Sequence, residues 1–143
     1  MDLAVEVIDR ARRFGSRNQQ QRGYLLGLVR RQLPEVAVPA LLSIFSRAND
    51  SEGTFEEQEL AGYLLWHCAH SCPIPAKDVI LAVLDGWNFS VEELPWYLCR
   101  EFGSDVLMNC LSNLLADSQK DRHRRALETL AYWSSAYKDS LVR

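Results

Sequence analysis

The sequence lacks several features that would assign it to a common functional class. It has no apolar run of the roughly 18 residues that a membrane-spanning helix needs, so we expect no membrane segment. It also has no P-loop, GxGxxG, HExxH or nucleophile-elbow motif, the short patterns of phosphate binding, dinucleotide binding, zinc hydrolysis and serine catalysis. We therefore expect a protein that is not an enzyme and needs no cofactor. A Ser–His–Asp or Cys–His arrangement stays open, because such groups meet only in the fold.

The composition is that of one globular domain. The chain has 143 residues, of which 48% are apolar, and a chain of this length buries about 68–70% of its unfolded surface. We expect a single domain over residues 1–143 and no intrinsic disorder. The first residues, MDLAVEVIDRARRFG, place acids before bases, the reverse of a signal peptide. We therefore expect a cytoplasmic protein.

Four cysteines, Cys68, Cys72, Cys99 and Cys110, are an even number, as a secreted disulfide framework would also have. A chain of this size with a full set of apolar residues does not need such crosslinks, so we expect reduced thiols.

The segment HCAHSC, residues 67–72, has the composition of a metal site. A structural zinc ion needs four ligands, and no second pair with CxxC or HxxxH spacing occurs. Cys99, Cys110 and His123 would have to approach this segment in the fold to complete a site. We predict that no metal is bound.

An internal repeat gives the cysteines another explanation. GYLLGLVRRQLP (23–34) aligns with GYLLWHCAHSCP (62–73), and a third copy begins at WYLCREFG (96–103). Cys68 then takes the position of Val29, and Cys72 that of Leu33, so the repeat predicts both cysteines on the apolar face of one helix. It also predicts equivalent positions for three tyrosines and burial of the leucines that follow them: Tyr24, Tyr63 and Tyr97; Leu25, Leu64 and Leu98.

Helical periodicity runs through almost the whole chain and predicts about eight helices. We expect three hairpin repeats at about 18–48, 54–87 and 91–117, with flanking helices at 2–14 and 121–139. Capping-box patterns at Thr54/Glu57 and Ser90/Glu93 mark the starts of the fourth and sixth helices. Repeats of 30–45 residues are typical of stacked helical hairpins. The predicted fold class is all-α, with hairpins stacked in a short right-handed solenoid.

This pattern resembles the HEAT-like family of α-helical repeats across roughly residues 18–117, in repeat length, hairpin architecture and the placement of helix breakers. It departs from the family in lacking a regular Asp and Arg pair in each second helix, where only Asp78 and Asp105 stand near the expected position. The resemblance implies that the second helices line a concave binding surface and that the protein binds rather than catalyses.

The charges are distributed unevenly. Residues 1–33 hold seven arginines against three acids, a net charge of +4, whereas residues 49–101 hold ten acids against Lys77 and Arg100, a net charge of −8. A segment that acidic repels nucleic acid and attracts basic surfaces. We therefore expect a basic protein partner, and we disfavour nucleic-acid binding through the N-terminal arginines.

Aromatic side chains among these acids indicate a protein-binding surface. Trp66 takes the position of Gly27 in the repeat, so the packing of the other copy does not require it. Core packing is the alternative for each tryptophan, and complementing helix dipoles is the alternative for Glu92 and Glu93. The predicted partner-binding residues are Asp78, Asp85, Trp87, Glu92, Glu93, Trp96 and Glu101.

A compact, acidic, all-α protein of this length also resembles the bacterial immunity proteins, which neutralise a toxin, often a basic nuclease, by covering its active site. The resemblance rests on size, charge and the absence of catalytic motifs. It implies a basic toxin as the partner of the acidic surface. The alternative is a helical-repeat scaffold or adaptor.

Overall fold

The computed structural model describes the backbone of residues 2–46, 54–118 and 120–142, and the side chains among them up to residue 136, except that of Thr54. These residues form eight α-helices and no strand, which confirms the predicted all-α class. The helices are α1 (Leu3–Phe14), α2 (Gln19–Arg31), α3 (Pro34–Phe45), α4 (Thr54–His67), α5 (Ala76–Val83), α6 (Glu93–Phe102), α7 (Ser104–Asp117) and α8 (Asp121–Val142).

Local chemistry explains most helix ends. The Asp2 and Asn18 side chains accept hydrogen bonds from the N–H groups of Val5 and Gln21, at 3.3 and 3.1 Å, and so cap α1 and α2. Pro34 occupies the first turn of α3, where its missing N–H costs nothing. Gly15 ends α1 with φ +77°, a conformation that favours glycine.

The predicted capping box at Ser90/Glu93 is wrong. Glu92 is the N-cap of α6 and makes no side-chain capping bond, while the Ser90 N–H donates to Asn88 Oδ1 at 2.9 Å within the preceding turn. The turn at Asn88–Ser90, rather than a Ser90 side-chain cap, precedes α6. The Thr54/Glu57 prediction depends on the Thr54 side chain, which lies outside the described part of the chain.

Helix α4 is shorter than the repeat predicts. It ends at His67, and Ala69 has a positive φ of 65°, which a continuing right-handed helix does not allow. Cys68 is buried, as Val29 is. Cys72 lies half-buried in the connection to α5, and Leu33, its predicted equivalent, is 68% exposed. The prediction that both cysteines share one helix face is therefore wrong.

The core is built around α4, which packs against α1, α2, α3 and α6. Helix α6 also contacts α7 and α8, and α5 contacts α3 and α7. Leu25, Leu64 and Leu98 are fully buried, as the repeat predicts. Their neighbouring tyrosines differ: Tyr24 is exposed, Tyr63 is half-buried and Tyr97 is buried.

Helices α4 and α6 approach closely at Gly62. A Cβ atom there would lie 3.1 Å from Glu93 Cβ and 3.2 Å from Val91 Cγ1, so only glycine fits without displacing the start of α6.

Among the helices in the described part of the chain, none combines the length and apolar character that crossing a bilayer requires.

Candidate protein-binding surface

Trp87 does not lie on the surface. Its side chain is fully buried, its ring centre lies 5.0 Å from that of Phe89, and its Nε1 donates to the Val91 carbonyl oxygen at 3.1 Å. The turn that follows α5 directs the ring into the core, against the segment that precedes α6. The prediction that Trp87 anchors a partner is therefore wrong for this folded conformation, and core packing is its role.

The predicted acids on α5 and just after it are exposed. Asp78 lies in the first turn of α5, and Asp85 follows its last turn with its side chain 72% exposed. Asp85 Oδ1 lies 2.6 Å from His123 Nε2 on α8. That hydrogen bond, together with the charges of His123 and Lys120, lowers the pKa of Asp85, so this carboxylate is ionised at neutral pH.

The other predicted acids lie at the start and end of α6. Glu92 and Glu93 are half-buried, and burial, reinforced by the neighbouring carboxylates, raises the pKa of Glu93. Glu101 accepts the Cys72 N–H at 2.9 Å and pairs with Arg100 at 3.4 Å. The predicted acids thus belong to two regions, since α5 packs against α3 and α7 whereas α6 packs against α4, α7 and α8.

Part of the charge asymmetry is neutralised inside the molecule. Arg12 Nε lies 2.7 Å from Glu57 Oε1, and Arg17 Nε lies 3.1 Å from Glu59 Oε1. The Ser16 hydroxyl also donates to Glu59. The N-terminal arginines therefore hold the loop between α1 and α2 against the first turns of α4. These acids and arginines are less available to a partner than the linear sequence indicates.

A different surface emerges where α2, α4 and α6 meet, which we call the aromatic–arginine face. Tyr63, Trp66 and His67 are three and four residues apart on α4 and so lie side by side. Trp96 and Arg100 have the same relation on α6. The face consists of Arg22, Tyr63, Trp66, His67, Trp96 and Arg100.

Close ring contacts connect these side chains. The Arg22 guanidinium lies 4.0 Å above the Tyr63 ring, and the Tyr63 and His67 ring centres are 4.3 Å apart. Trp66 and Trp96 meet edge to face at 6.0 Å and 61°. Such pairs contribute about 0.5–1.5 kcal/mol beyond simple burial, so the rings hold each other in fixed orientations.

Two arginines also fix the end of α4 beneath this face. Arg100 Nη1 donates to the Trp66 carbonyl oxygen at 2.7 Å, and Arg30 Nη2 donates to that of His67 at 3.1 Å. The last carbonyl groups of a helix carry partial negative charge and have no partner within the helix. The guanidinium groups satisfy these carbonyl oxygens and so stabilise the end of α4 at His67.

The rings of this face are ordered but not covered. Tyr63, Trp66 and Trp96 are half-buried and His67 is exposed, so each presents part of its ring to solvent. Tryptophan, tyrosine and arginine are the residues that most often dominate protein–protein binding energy. Preordered side chains also lose little conformational entropy on binding. The arrangement is suited to binding another protein.

The cysteines and histidines that suggested chemistry have structural partners instead. His70 Nε2 lies 2.8 Å from the Val29 carbonyl oxygen, which links the α4–α5 connection to α2. Burial raises the pKa of Cys68 and of Cys72, which favours the protonated thiol over the thiolate. In the described residues, no three His, Cys, Asp or Glu side chains are arranged to hold a metal ion. That the protein binds no metal stays a prediction.

Two polar clefts offer no evident chemistry. One, of about 560 Å³, lies along the first turns of α8 and is lined by Arg122, Arg125 and neighbouring charged residues. The other, of about 440 Å³, lies between the α1–α2 loop and α4 and contains the Arg17–Glu59 pair. Each mixes both signs of charge at the surface, as ordinary solvated faces do.

Comparison of the chain with protein-family models, curated proteins and solved structures gave no match. The candidate surface therefore rests on its own geometry. Of its six residues, the sequence pointed only to Trp96 as a contact residue. For the three residues on α4, the available signal was the helical spacing of Tyr63, Trp66 and His67, together with the position of Trp66 at that of Gly27 in the repeat.

Proposed function

We propose that this protein is a non-catalytic protein-binding module and that the aromatic–arginine face is its contact surface. The observation that supports this most is the set of ring contacts among Tyr63, Trp66 and Trp96, which leaves ordered aromatic surface open to solvent. A partner that covers these rings gains apolar burial without first having to order them.

The HEAT-like arrangement is part of the same proposal. In it, α2, α4, α6 and α8 form one row and α3, α5 and α7 form a second. Contacts between successive members of each row support this arrangement. In such an arrangement, the aromatic–arginine face belongs to the first row.

The proposed partner class is a basic protein, and a basic toxin neutralised by an immunity-type protein is its most specific form. Glu92 precedes α6 at the edge of the aromatic–arginine face and is the acid that would meet such a partner, whereas Arg22 and Arg100 within the face carry positive charge. A scaffold or adaptor function is the alternative. Nucleic-acid binding is less favoured, because Arg12 and Arg17 already pair with acids of α4.

Affinity purification from the source organism, with four versions of the protein as bait, tests this proposal. The wild type and Tyr132→Ala should recover the same partner, because Tyr132 lies on α8 outside the face and is 66% exposed. Trp96→Ala should lose that partner while retaining the helical circular dichroism of the wild type. Recovery of the partner by Trp96→Ala and by Trp66→Ala would assign binding to another surface.

A further inference from the structure

Two arginines of α2, Arg22 and Arg30, form no ion pair with any carboxylate in the described part of the chain. The arginines that precede them on α1 and in the α1–α2 loop are each paired with an acid. These paired arginines are Arg10, Arg12, Arg13 and Arg17. The N-terminal positive charge that remains unbalanced therefore lies on α2.

Both guanidinium groups retain N–H donors for a ligand. Arg22 donates from Nε to the Ser16 carbonyl oxygen at 2.7 Å and stacks 4.0 Å above the Tyr63 ring. Arg30 is exposed and donates from Nη2 to the His67 carbonyl oxygen at 3.1 Å. A guanidinium has five N–H donors in one plane, and a carboxylate accepts two of them side by side. Each arginine can therefore bind a carboxylate without giving up its present hydrogen bond.

The electrostatic potential at the end of α4 is positive. Partial burial lowers the pKa of His67, and three arginine charges lower it further, whereas no described carboxylate raises it. These arginines are Arg22, Arg100 and Arg30. The carbonyl oxygens at a helix end carry only about half a unit of negative charge, and here two of the arginines already bind them. The potential at His67 therefore favours an anionic ligand.

The carboxylates near the face do not cancel this charge where it lies. Glu101 is already paired with Arg100. Glu92 and Glu93 lie at the start of α6 and Arg100 in its last turn, a separation of about 10–12 Å along the helix. Arg22 lowers the pKa of Glu93, but burial and the neighbouring carboxylates raise that pKa by more. The face is thus negative at the start of α6 and positive at the end of α4.

We propose that the aromatic–arginine face, together with the adjacent Arg30, binds an acidic segment of the partner protein. Carboxylates of this segment pair with Arg22 and Arg30, and an apolar side chain between them covers the rings of Tyr63 and Trp66. The inference rests on the proposed function, since it takes this face as the contact surface. It names local chemistry that the net charge of the partner does not fix, because a basic protein can also present an acidic segment.

A polypeptide fits this charge pattern better than a nucleic acid does. Every nucleotide carries a negative charge, so a strand that crosses the face would also meet Glu92 and Glu93. A polypeptide can place carboxylates at the end of α4 and a cation at the start of α6.

The test uses three synthetic peptides of about eight residues, long enough when extended to span the two helical turns between Arg22 and Arg30. In the first, glutamates flank a central leucine; in the second and third, glutamine and lysine replace each glutamate. The indole N–H signals in NMR spectra of the isotope-labelled full chain report binding. The glutamate peptide should shift the signals of Trp66 and Trp96 and not those of Trp87, which is buried, or Trp133 on α8. The other two peptides should shift none of them at the same concentration.

Arginine variants locate the carboxylate contacts. Arg22→Gln and Arg30→Gln should each weaken binding of the glutamate peptide about three-fold, as loss of a largely exposed charge pair does, and the double variant about ten-fold. Added salt should weaken binding to the wild type more than to the double variant. Arg125→Gln removes the same charge at an exposed position on α8 and should leave binding unchanged. Because Arg30 is exposed, Arg30→Gln keeps the test decisive if Arg22→Gln perturbs the fold.

Equal binding of the glutamate and glutamine peptides, preference for the lysine peptide, or wild-type affinity in Arg30→Gln and the double variant would overturn the proposal. Tighter binding of a thymidine oligonucleotide than of the glutamate peptide at equal salt would also overturn it, by assigning the face to nucleic acid. Affinity purification separates this inference from the proposed function. If Trp96→Ala loses the partner and the double arginine variant recovers it fully, the face is the contact surface and the acidic segment is wrong.

Discussion

The guanidinium carbon of Arg100 lies 4.6 Å from the centre of the Trp66 ring, and Arg100 Nη1 donates a 2.7 Å hydrogen bond to the Trp66 carbonyl oxygen. Because that carbonyl belongs to the last turn of α4, one side chain both stabilises a helix end and orients a ring of the aromatic–arginine face. Fold stability and surface geometry therefore depend on the same residue.

Replacing Arg100 by alanine should lower the free energy of unfolding by about 1.5–3 kcal/mol, the range for a hydrogen bond to a charged donor. Arg100→Lys should recover only part of this loss, because an ammonium group neither stacks as a guanidinium does nor reaches two carbonyls at once. Urea unfolding measures both. Arg31→Ala, at an exposed position on α2, is the control and should change stability by less than about 0.5 kcal/mol. An equal loss of stability in Arg31→Ala would show that the hydrogen bonds of Arg100 to α4 are not the cause of the loss.

Leu64 and Leu33 provide a comparison between a buried and an exposed leucine. Leu64 is fully buried in the last turn of α4, whereas Leu33 is 68% exposed before α3. Leu64→Ala should cost about 2–5 kcal/mol as a large-to-small change in the core, and Leu33→Ala about 0.5 kcal/mol or less. Urea midpoints at equal unfolding slopes give the comparison. Similar costs for the two substitutions would contradict the assignment of α4 as the central helix.

Cys72 tests the structural interpretation of the HCAHSC segment. Cys72→Val should cost about 1 kcal/mol or less, since valine has a similar volume and Cys72 is only half-buried. Elemental analysis of protein purified without chelator should find no stoichiometric zinc or iron in the wild type or the variant. Loss of a tightly bound metal in Cys72→Val would overturn this interpretation.

Two carboxyls should respond oppositely to pH, beginning with Glu59. Burial raises the pKa of Glu59, but the hydrogen bonds from Arg17 and Ser16 and the positive charge of Arg17 lower it by more. The net pKa therefore lies below the ordinary value of 4.5. A carboxyl with a lowered folded-state pKa contributes stability above its unfolded pKa, and this contribution is lost as pH falls through the folded value. Glu59→Gln should therefore reduce stability at pH 7 and flatten the loss of stability below about pH 4.5.

Glu93 has the opposite sign. Burial raises its pKa, and the charges of Glu59 and Glu92 add to the shift. A raised carboxyl pKa favours the folded state when the group is protonated, and this contribution is lost as pH rises through the folded-state pKa. Glu93→Gln should increase the urea midpoint at pH 7 more than at pH 4, and Glu128→Gln on the exposed side of α8 is the control. A larger benefit at pH 4 would contradict the direction of this shift.

Periodicity and repetition in the sequence were enough to predict the helices and the core positions Leu25, Leu64 and Leu98. These features follow from which residues lie on one helix face, and that depends only on residues close together in the sequence. The end of α4 was not predictable in the same way, because the groups that satisfy its last carbonyls, Arg30 and Arg100, come from other helices. Trp87 was misassigned for a related reason: its burial is decided by the path of the turn after α5.

The charge pattern had the same limitation. Net charges of +4 for residues 1–33 and −8 for residues 49–101 are correct counts, but they contain no information on pairing. Only the packing of α1 against α4 brings Arg12 to Glu57, which buries the Glu57 carboxylate and pairs it with an arginine that stays half-exposed. The acids that remain exposed, such as Asp78 and Asp85, are the ones to which the sequence argument still applies.

The contributions of aromatic and acidic residues to binding should be separable kinetically. Trp96→Ala should increase the dissociation rate of the partner by about 30-fold, equivalent to the roughly 2 kcal/mol of a central aromatic contact. Glu92→Lys should instead slow association with a basic partner and reduce its dependence on salt, because charges at the rim act mainly on encounter. Surface plasmon resonance at two salt concentrations measures both rates, with Tyr132→Ala as the matched aromatic control outside the face. Faster association in Glu92→Lys would identify an acidic partner, because the introduced positive charge speeds encounter only with a negatively charged surface.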